Sequence, residues 1–321
     1  MTAAAGLPEA ISRADLRIRS WILETPLEPS PIGPFLKLEN RQHTGSFKAR
    51  GAFSRLLAIP DAALERGVIA ASTGNHGSAV AYAASRLGIA CRVVVPGTAD
   101  SSKLEAIRSY GGTLETHGDD SAVAETWARR LAEGEGIPYV SPYNDLEVVG
   151  GQGTVGIELT RQLSSADAVF IALGGGGLLA GVAAWLKSTW PNVAVIGCSP
   201  ENSAVMIESV RAGRILELES RPTLSDATAG GVEPGAITFE LVRALADDFV
   251  TVTEGEIRLA MRLIHETHGM AVEGAAGVAV AGYLRQADRW RGKTAVAILC
   301  GGNVSPAVLE SVLGTAAVRS G

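Results

Sequence analysis

The chain is poor in cysteine, in aromatic residues and in clustered positive charge, and each shortage argues against a class of protein. Its three cysteines, Cys91, Cys198 and Cys300, stand far apart with no CxxC pair. That spacing argues against a zinc ribbon and a disulfide framework, and it fits a reducing cytoplasm. No lysine-arginine run occurs and the formal net charge is -6, so neither nucleic acid nor an anionic membrane is expected as a partner. No apolar run approaches the roughly 20 residues needed to cross a bilayer. The opening "MTAAAGLPEAISRADLRIRSW" lacks the basic start and apolar stretch of a signal peptide. What the chain does have is 38 glycines, 46% hydrophobic and 19% charged residues over 321 positions. That is globular composition, with length for a large core and two lobes.

Short apolar runs alternate with helical patterns. "GVIAAS" (67–72) and "CRVVVP" (91–96) read as buried strands, and "NHGSAVAYAASRLG" (75–88) as a helix stopped by Gly88. "SSKLEAIRSYGG" (101–112) has a serine start and a glycine stop, "GTLETHG" reads as a short strand, and "DDSAVAETWARRLAEGEG" as a helix with acids in its first turn. From about residue 140 the alternation recurs. "DAVFIALGGGGLLAGVAAWLKS" is strand, glycine loop and helix, "TEGEIRLAMRLIHETHG" is a threonine-capped helix, and "KTAVAILCGGN" is a final strand. The pattern predicts an α/β fold of two open, mostly parallel twisted sheets with helices on both faces. The aperiodic stretch 218–240 reads as a functional loop. "HETH" (265–268) reads as a solvated face or a helix end, and "WARR" as an ordinary amphipathic stretch.

Three strand ends carry polar or glycine-rich turns. Gly174 to Gly177 lie between a strand and a helix, which makes either a backbone cradle for a phosphate or a turn where strand and helix pack closely. Gly175, Gly177 and Ala180 also fit a dinucleotide fingerprint, but the next strand ends in Ser199 rather than an acid. "ASTGNHGSAV" (71–80) gathers hydroxyls, an amide and free helix N–H groups where a carboxylate can sit; the plain alternative is helix capping by Ser72, Thr73 or Asn75. Cys300 tips a third edge, as a small buried residue or as a neutral hydrogen-bond partner. Lys48 follows a Gly-Ser-Phe turn. A phosphate cradle, a carboxylate ring, a neutral polar tip and a presented amine together suit pyridoxal phosphate with an amino acid.

On "KLENRQHTGSFKARGA", "STGNHGSAVAYAA", "GGQGTVGIEL", "GGGGLLAG", "DDFVTVTEGEI" and "CGGNVS", in this order from about residue 37 to 305, the sequence resembles the serine/threonine dehydratases. These are pyridoxal-phosphate enzymes of the fold-type II, tryptophan synthase beta-like group, which also includes serine racemase. The resemblance implies that Lys48 forms the Schiff base and takes the substrate α-proton, and that Phe47 packs near the ring. It implies that Asn75 bonds the ring hydroxyl, Gly174, Gly175, Gly176 and Gly177 hold the phosphate, and Cys300 faces the pyridine nitrogen. Glu273 stands where the family keeps a glutamate near the cofactor. Ser72, Thr73, Gly74 and His76 would hold the substrate carboxylate, and Thr73 stands where racemases carry a catalytic serine. Ser199 and Val205 replace the acids of the racemase metal site, so no metal is expected.

The implied organisation is a large cofactor-binding domain (1–65 and 142–321), a small domain (66–141), a cofactor cleft between the lobes, no regulatory domain, and a homodimer. The implied reaction is elimination of water from a β-hydroxy amino acid such as L-threonine or L-serine, followed by hydrolysis of the enamine to a 2-oxo acid and ammonia. Alternatives are a less common β-hydroxy substrate (hydroxyectoine breakdown, hydroxyaspartate or phenylserine type), β-replacement or an amino-acid racemase. From other classes come a nicotinamide-dependent oxidoreductase and a non-catalytic amino-acid binder.

Overall fold

The computed structural model describes residues 6–99 and 101–314. Within them nine strands form: β1 (Leu27–Glu28), β2 (Phe35–Lys37), β3 (Val68–Ala71), β4 (Cys91–Val95), β5 (Thr113–Thr116), β6 (Ala168–Ala172), β7 (Ala194–Pro200), β8 (Asp248–Val252) and β9 (Ala295–Ile298). The larger sheet runs β1-β2-β9-β6-β7-β8 and the smaller β3-β4-β5. All neighbours pair in parallel except β1 with β2. Strands β3, β6 and β9 are buried along their whole length, which is why they read as continuous apolar runs rather than alternating ones. Among the described residues no helix is long and apolar enough to cross a membrane.

The expected punctuation holds where it was strongest. Gly88 and Gly136 close their helices in the left-handed conformation, at φ 71° and 64°. Thr253 and Glu256 form a reciprocal capping box. One detail differs from expectation: in "DDSAV" the acid works as a cap, with Asp120 accepting from the N–H groups of Ala122 and Val123, and the first turn of helix Ser121–Glu135 holds no acid. The carboxylate gains more from two orphan donors than from the diffuse helix dipole.

Two apolar cores result. Phe170, Ile171, Ile196 and Val280 pack around the large sheet. Val80, Val93 and Ile107 pack beneath the small one, together with Ile18, Phe53 and Leu56 from the chain before β3. Helix Lys48–Leu56 therefore leans on the small sheet through Phe53 while facing helix Leu146–Gln162 on its other side. The contact with Leu146–Gln162 is close: a Cβ on Gly151 would lie 2.5 Å from the Arg50 carbonyl oxygen.

Four buried charges fix that helix. Arg50 forks onto Glu39 with two bonds of 2.7 Å and onto Glu158 with bonds of 2.6 and 2.9 Å. Lys37 Nζ completes the set, 2.5 Å from Glu158 and 2.7 Å from the Thr25 carbonyl oxygen. Against the cost of burial, Arg50 and Lys37 hold the Glu158 carboxyl below the usual carboxylate range. Its contribution is thus full at neutral pH and is lost only as acid titrates the folded carboxyl. Glu158→Ala leaves two cations short of a partner in the interior, and a loss of about 3–5 kcal/mol in urea unfolding is expected. A loss under about 1 kcal/mol, typical of exposed pairs, would contradict this account.

Candidate active site

The turns after β3, β6 and β9 open onto one cavity of about 1130 Å3, whose lining includes Phe47, Lys48, residues 72–76, residues 174–177, Glu273 and Cys300. Every residue expected to hold the cofactor or the substrate thus lines the same space. Part of the reason is topological: β6 and β9, parallel strands of one sheet, deliver their following turns to one edge, and the turn after β3, in the other sheet, meets them across the cavity.

Lys48 opens its helix after a turn pinned by the end of β9. The Phe47 N–H donates to the Cys300 carbonyl oxygen at 3.0 Å and the Gly302 N–H to the Gly45 carbonyl oxygen at 2.9 Å. The amine lies in the cavity wall, donates to the Pro142 carbonyl oxygen at 2.8 Å and sits 5.2 Å from the centre of the Phe47 ring. Burial outweighs the attraction of Glu273 and lowers its pKa to about 8.

At the 72–76 turn, helix Asn75–Leu87 starts without a side-chain cap, and Ser72 Oγ accepts from the Gly74 N–H at 3.1 Å. The first-turn N–H groups of that helix have no intrahelical acceptor and face the cavity edge. His76 is neutral: burial first, and then the Lys48 charge, lower its pKa to about 3. Its Nε2 lies 2.8 Å from the Val140 carbonyl oxygen, an acceptor, so Nε2 carries the proton. What His76 offers an anion is its backbone N–H and not an imidazolium.

The tetraglycine turn has a packing reason to be glycine. A Cβ on Gly174 would lie 2.9 Å from Thr228 Cα, and one on Gly175 would lie 2.4 Å from the Tyr143 ring. Gly176 has φ 85° and caps helix Gly177–Thr189. The glycines admit Tyr143 and Thr228 on one side, and the turn and helix start line the cavity on the other. The site fits pyridoxal phosphate in its donor set, with a half-buried amine of lowered pKa, a helix start of the kind that binds phosphates, and a neutral thiol. Burial, then Glu273, hold that Cys300 thiol well above its ordinary pKa.

Glu273 is buried, and both its oxygens accept from Asn75 Nδ2, at 2.9 and 2.8 Å. Burial raises its pKa to about 7. Several cavity residues were not singled out from sequence. Arg129, within the "WARR" read as an ordinary amphipathic stretch, lines the cavity. It pairs with Glu233 and Glu125, and its guanidinium stacks 4.4 Å from the centre of the Tyr139 ring. The Glu125–Arg129 spacing of four on one helix face was the available signal. Tyr143 accepts the Glu233 N–H at 3.0 Å and so ties the tetraglycine turn to the loop at 226–234. Asn303 lines the same cavity.

This arrangement, a presented lysine amine opposite a glycine-rich helix start between two parallel sheets, defines a cofactor-dependent α/β enzyme. The family model for pyridoxal-phosphate dependent enzymes matches residues 18–301, and the chain belongs to that family. It is 39% identical over 287 residues to the L-threonine ammonia-lyase of Thermotoga maritima, covering 89% of this chain and 71% of the relative. It is 38% identical over 282 residues to the catabolic L-threonine dehydratase of Escherichia coli K12, covering 87% and 85%. Among solved structures, maize serine racemase superposes with a TM-score of 0.89 at 32% identity, over 94% of this chain and 95% of that one.

The lowered pKa gives a direct test. Pyridoxal phosphate is expected to add covalently to the cofactor-free protein at a rate that rises with pH through a midpoint near 8, where half of the Lys48 amine is neutral. Borohydride fixation followed by mass spectrometry reads this. Lys48→Ala should capture none at this position. A midpoint near that of a solvated lysine, about 10.4, would show that burial does not tune this amine.

Proposed function

We propose that the protein is a pyridoxal-phosphate dependent lyase that removes water from a β-hydroxy amino acid of the L-threonine or L-serine type, yielding a 2-oxo acid and ammonia. The observation that carries this reading is the Lys48 amine, lowered in pKa and held in the same cavity as the tetraglycine turn and the 72–76 helix start. The threonine ammonia-lyase and dehydratase relatives support it. When bound, pyridoxal phosphate supplies an aldehyde for an amine and a ring that draws electron density from the α-carbon.

The chain's own groups do the rest. Gly174 to Gly177 hold the phosphate by backbone N–H groups at the start of helix Gly177–Thr189. Ser72, Thr73, Gly74 and the His76 N–H hold the substrate carboxylate. Phe47 packs beside the ring, and Asn75 spends one Nδ2 hydrogen on Glu273 and offers the other to the ring hydroxyl. Lys48, in its neutral form, takes the α-proton. Cys300, kept neutral, meets the ring nitrogen without lending it a charge. That favours prompt loss of the β-hydroxyl over a long-lived carbanion, and elimination over racemisation. Water then hydrolyses the released enamine, so the water lost in elimination is regained and ammonia is the net leaving group. We take residues 66–141 as the small domain that closes this cleft and the remainder as the large one.

A second reading, a less common β-hydroxy substrate, comes from the charged part of the cavity wall. Threonine ends in a methyl group, whereas the wall carries Arg129, Glu125, Glu233 and Asn144, groups that lose hydrogen bonds when an apolar substituent desolvates them. A panel of L-serine, L-threonine, phenylserine and charged β-hydroxy amino acids, scored for 2-oxo acid and ammonia, decides. At least one substrate with a polar or charged side chain is expected to exceed L-threonine in kcat/KM by about tenfold or more, and Arg129→Leu to narrow that gap. Equal D- and L-serine turnover without ammonia would overturn the lyase reading in favour of racemisation.

A further inference from the structure

We propose that Asn303 is a positioning residue for both halves of the cofactor site: its side-chain amide sets the orientation of the Asn75 amide and clamps the turn that presents Lys48. The proposal rests on the reading of this cleft as a pyridoxal-phosphate site. Asn303 Nδ2 donates to the Thr44 carbonyl oxygen at 2.8 Å and to Asn75 Oδ1 at 2.7 Å. Asn75 Nδ2 then donates to both Glu273 oxygens. The chain of bonds has a direction. The Thr44 carbonyl at one end only accepts, so Asn303 must present its NH2 group there, and Asn75 must answer with its oxygen. That leaves the Asn75 NH2 turned toward Glu273 and the cavity. Glu273 alone does not secure this orientation near neutral pH, where its raised pKa makes part of it a hydrogen-bond donor. Asn303 holds Asn75 in either protonation state.

The second half of the argument is the Lys48 turn. Thr44 has φ 63° and is, among the described residues, the one non-glycine with positive φ. Such a conformation persists only where neighbours over-determine it. The Thr44 hydroxyl is buried without a partner, so its own side chain does not hold the turn. The holding contacts come from the 301–303 segment: Gly302 bonds the Gly45 carbonyl, and Asn303 bonds the Thr44 carbonyl. Asn303 also lies so close that a Cβ on Gly45 would come within 2.5 Å of its Oδ1. One side chain thus touches the residue that orients the ring and the backbone that aims the amine.

Asn303→Ala and Asn303→Asp separate this from space-filling. Aspartate has nearly the shape of asparagine, but it places an acceptor against the Thr44 carbonyl and Asn75 Oδ1. Pyridoxal phosphate binding to the apoprotein is expected to weaken about tenfold in Asn303→Ala, the worth of about one net hydrogen bond, and further in Asn303→Asp. The visible cofactor band of both loaded variants is expected to titrate at a pH displaced from the wild type, while the unfolding midpoint of each cofactor-free variant stays within about 3 °C. The reverse order, with aspartate nearer the wild type than alanine, overturns the proposal. So does a larger drop in midpoint, which would make the role structural. Variants that bind and titrate like a competent wild type overturn this inference alone; a wild type that takes up no pyridoxal phosphate overturns the functional reading with it.

Discussion

Arg50 stands two residues beyond Lys48 on the same helix, and its fork onto Glu39 and Glu158 is the constraint on which the site geometry depends. Two cations and two anions, all buried, leave no net charge in the interior. Such a cluster is a poor source of stability, because each group gives up its water to enter it. What it supplies is registry. Bidentate guanidinium–carboxylate bonds tolerate little sliding, so β2, helix Lys48–Leu56 and helix Leu146–Gln162 can meet in few ways. A helix held by apolar contacts alone could shift or rotate slightly, and the amine at its start would move with it.

The fold was legible in sequence where burial imposes a period or a turn imposes a glycine. Strands β3 and β4 announce themselves as apolar runs, and Gly88 and Gly136 sit where only a left-handed residue closes the helix. The site was legible because parallel strands put turns far apart in sequence onto one edge. The buried charges were not. "KLEN", "KARGA" and "IELTRQ" look like polar surface, since periodicity cannot distinguish a charge facing water from one facing its counterion. Arg129 was missed for the same reason. The position of β9 between β2 and β6 was equally hidden, because hydrophobic pattern says that a strand is central without saying which strands it joins.

The cleft mouth is spanned by links of a different kind. Lys103 reaches Asp226 at 2.5 Å and Arg129 pairs with Glu233, each joining a helix beside the small sheet to the 226–234 loop. Lys103 and Asp226 are about half exposed, and pairs of that kind contribute little net stability. The small-sheet core is tied to the rest of the chain instead through Phe53, which packs with Val80 there while its helix remains fixed by Arg50 on the other side. The rim charges line the cavity, and the apolar contact behind them packs helix Lys48–Leu56 into the small-sheet core.

Burial also decides the electrostatics of the cleft. It lowers Lys48 and His76 and raises Glu273 and Cys300, so every one of these groups moves toward its uncharged form. Lys48 and His76 therefore offer an anion little fixed charge, and the cations of the lining, Lys103 and Arg129, are each paired with carboxylates. The uncapped helix starts after Gly74 and after Gly176 add backbone N–H groups, which carry partial charge without a desolvation cost. The same suppression leaves a lysine able to be neutral near physiological pH and a histidine that does not compete for its proton. One low-dielectric space thus holds titratable groups moved toward their uncharged forms beside the N–H dipoles of two helix starts, because burial penalises a full charge far more than a backbone dipole.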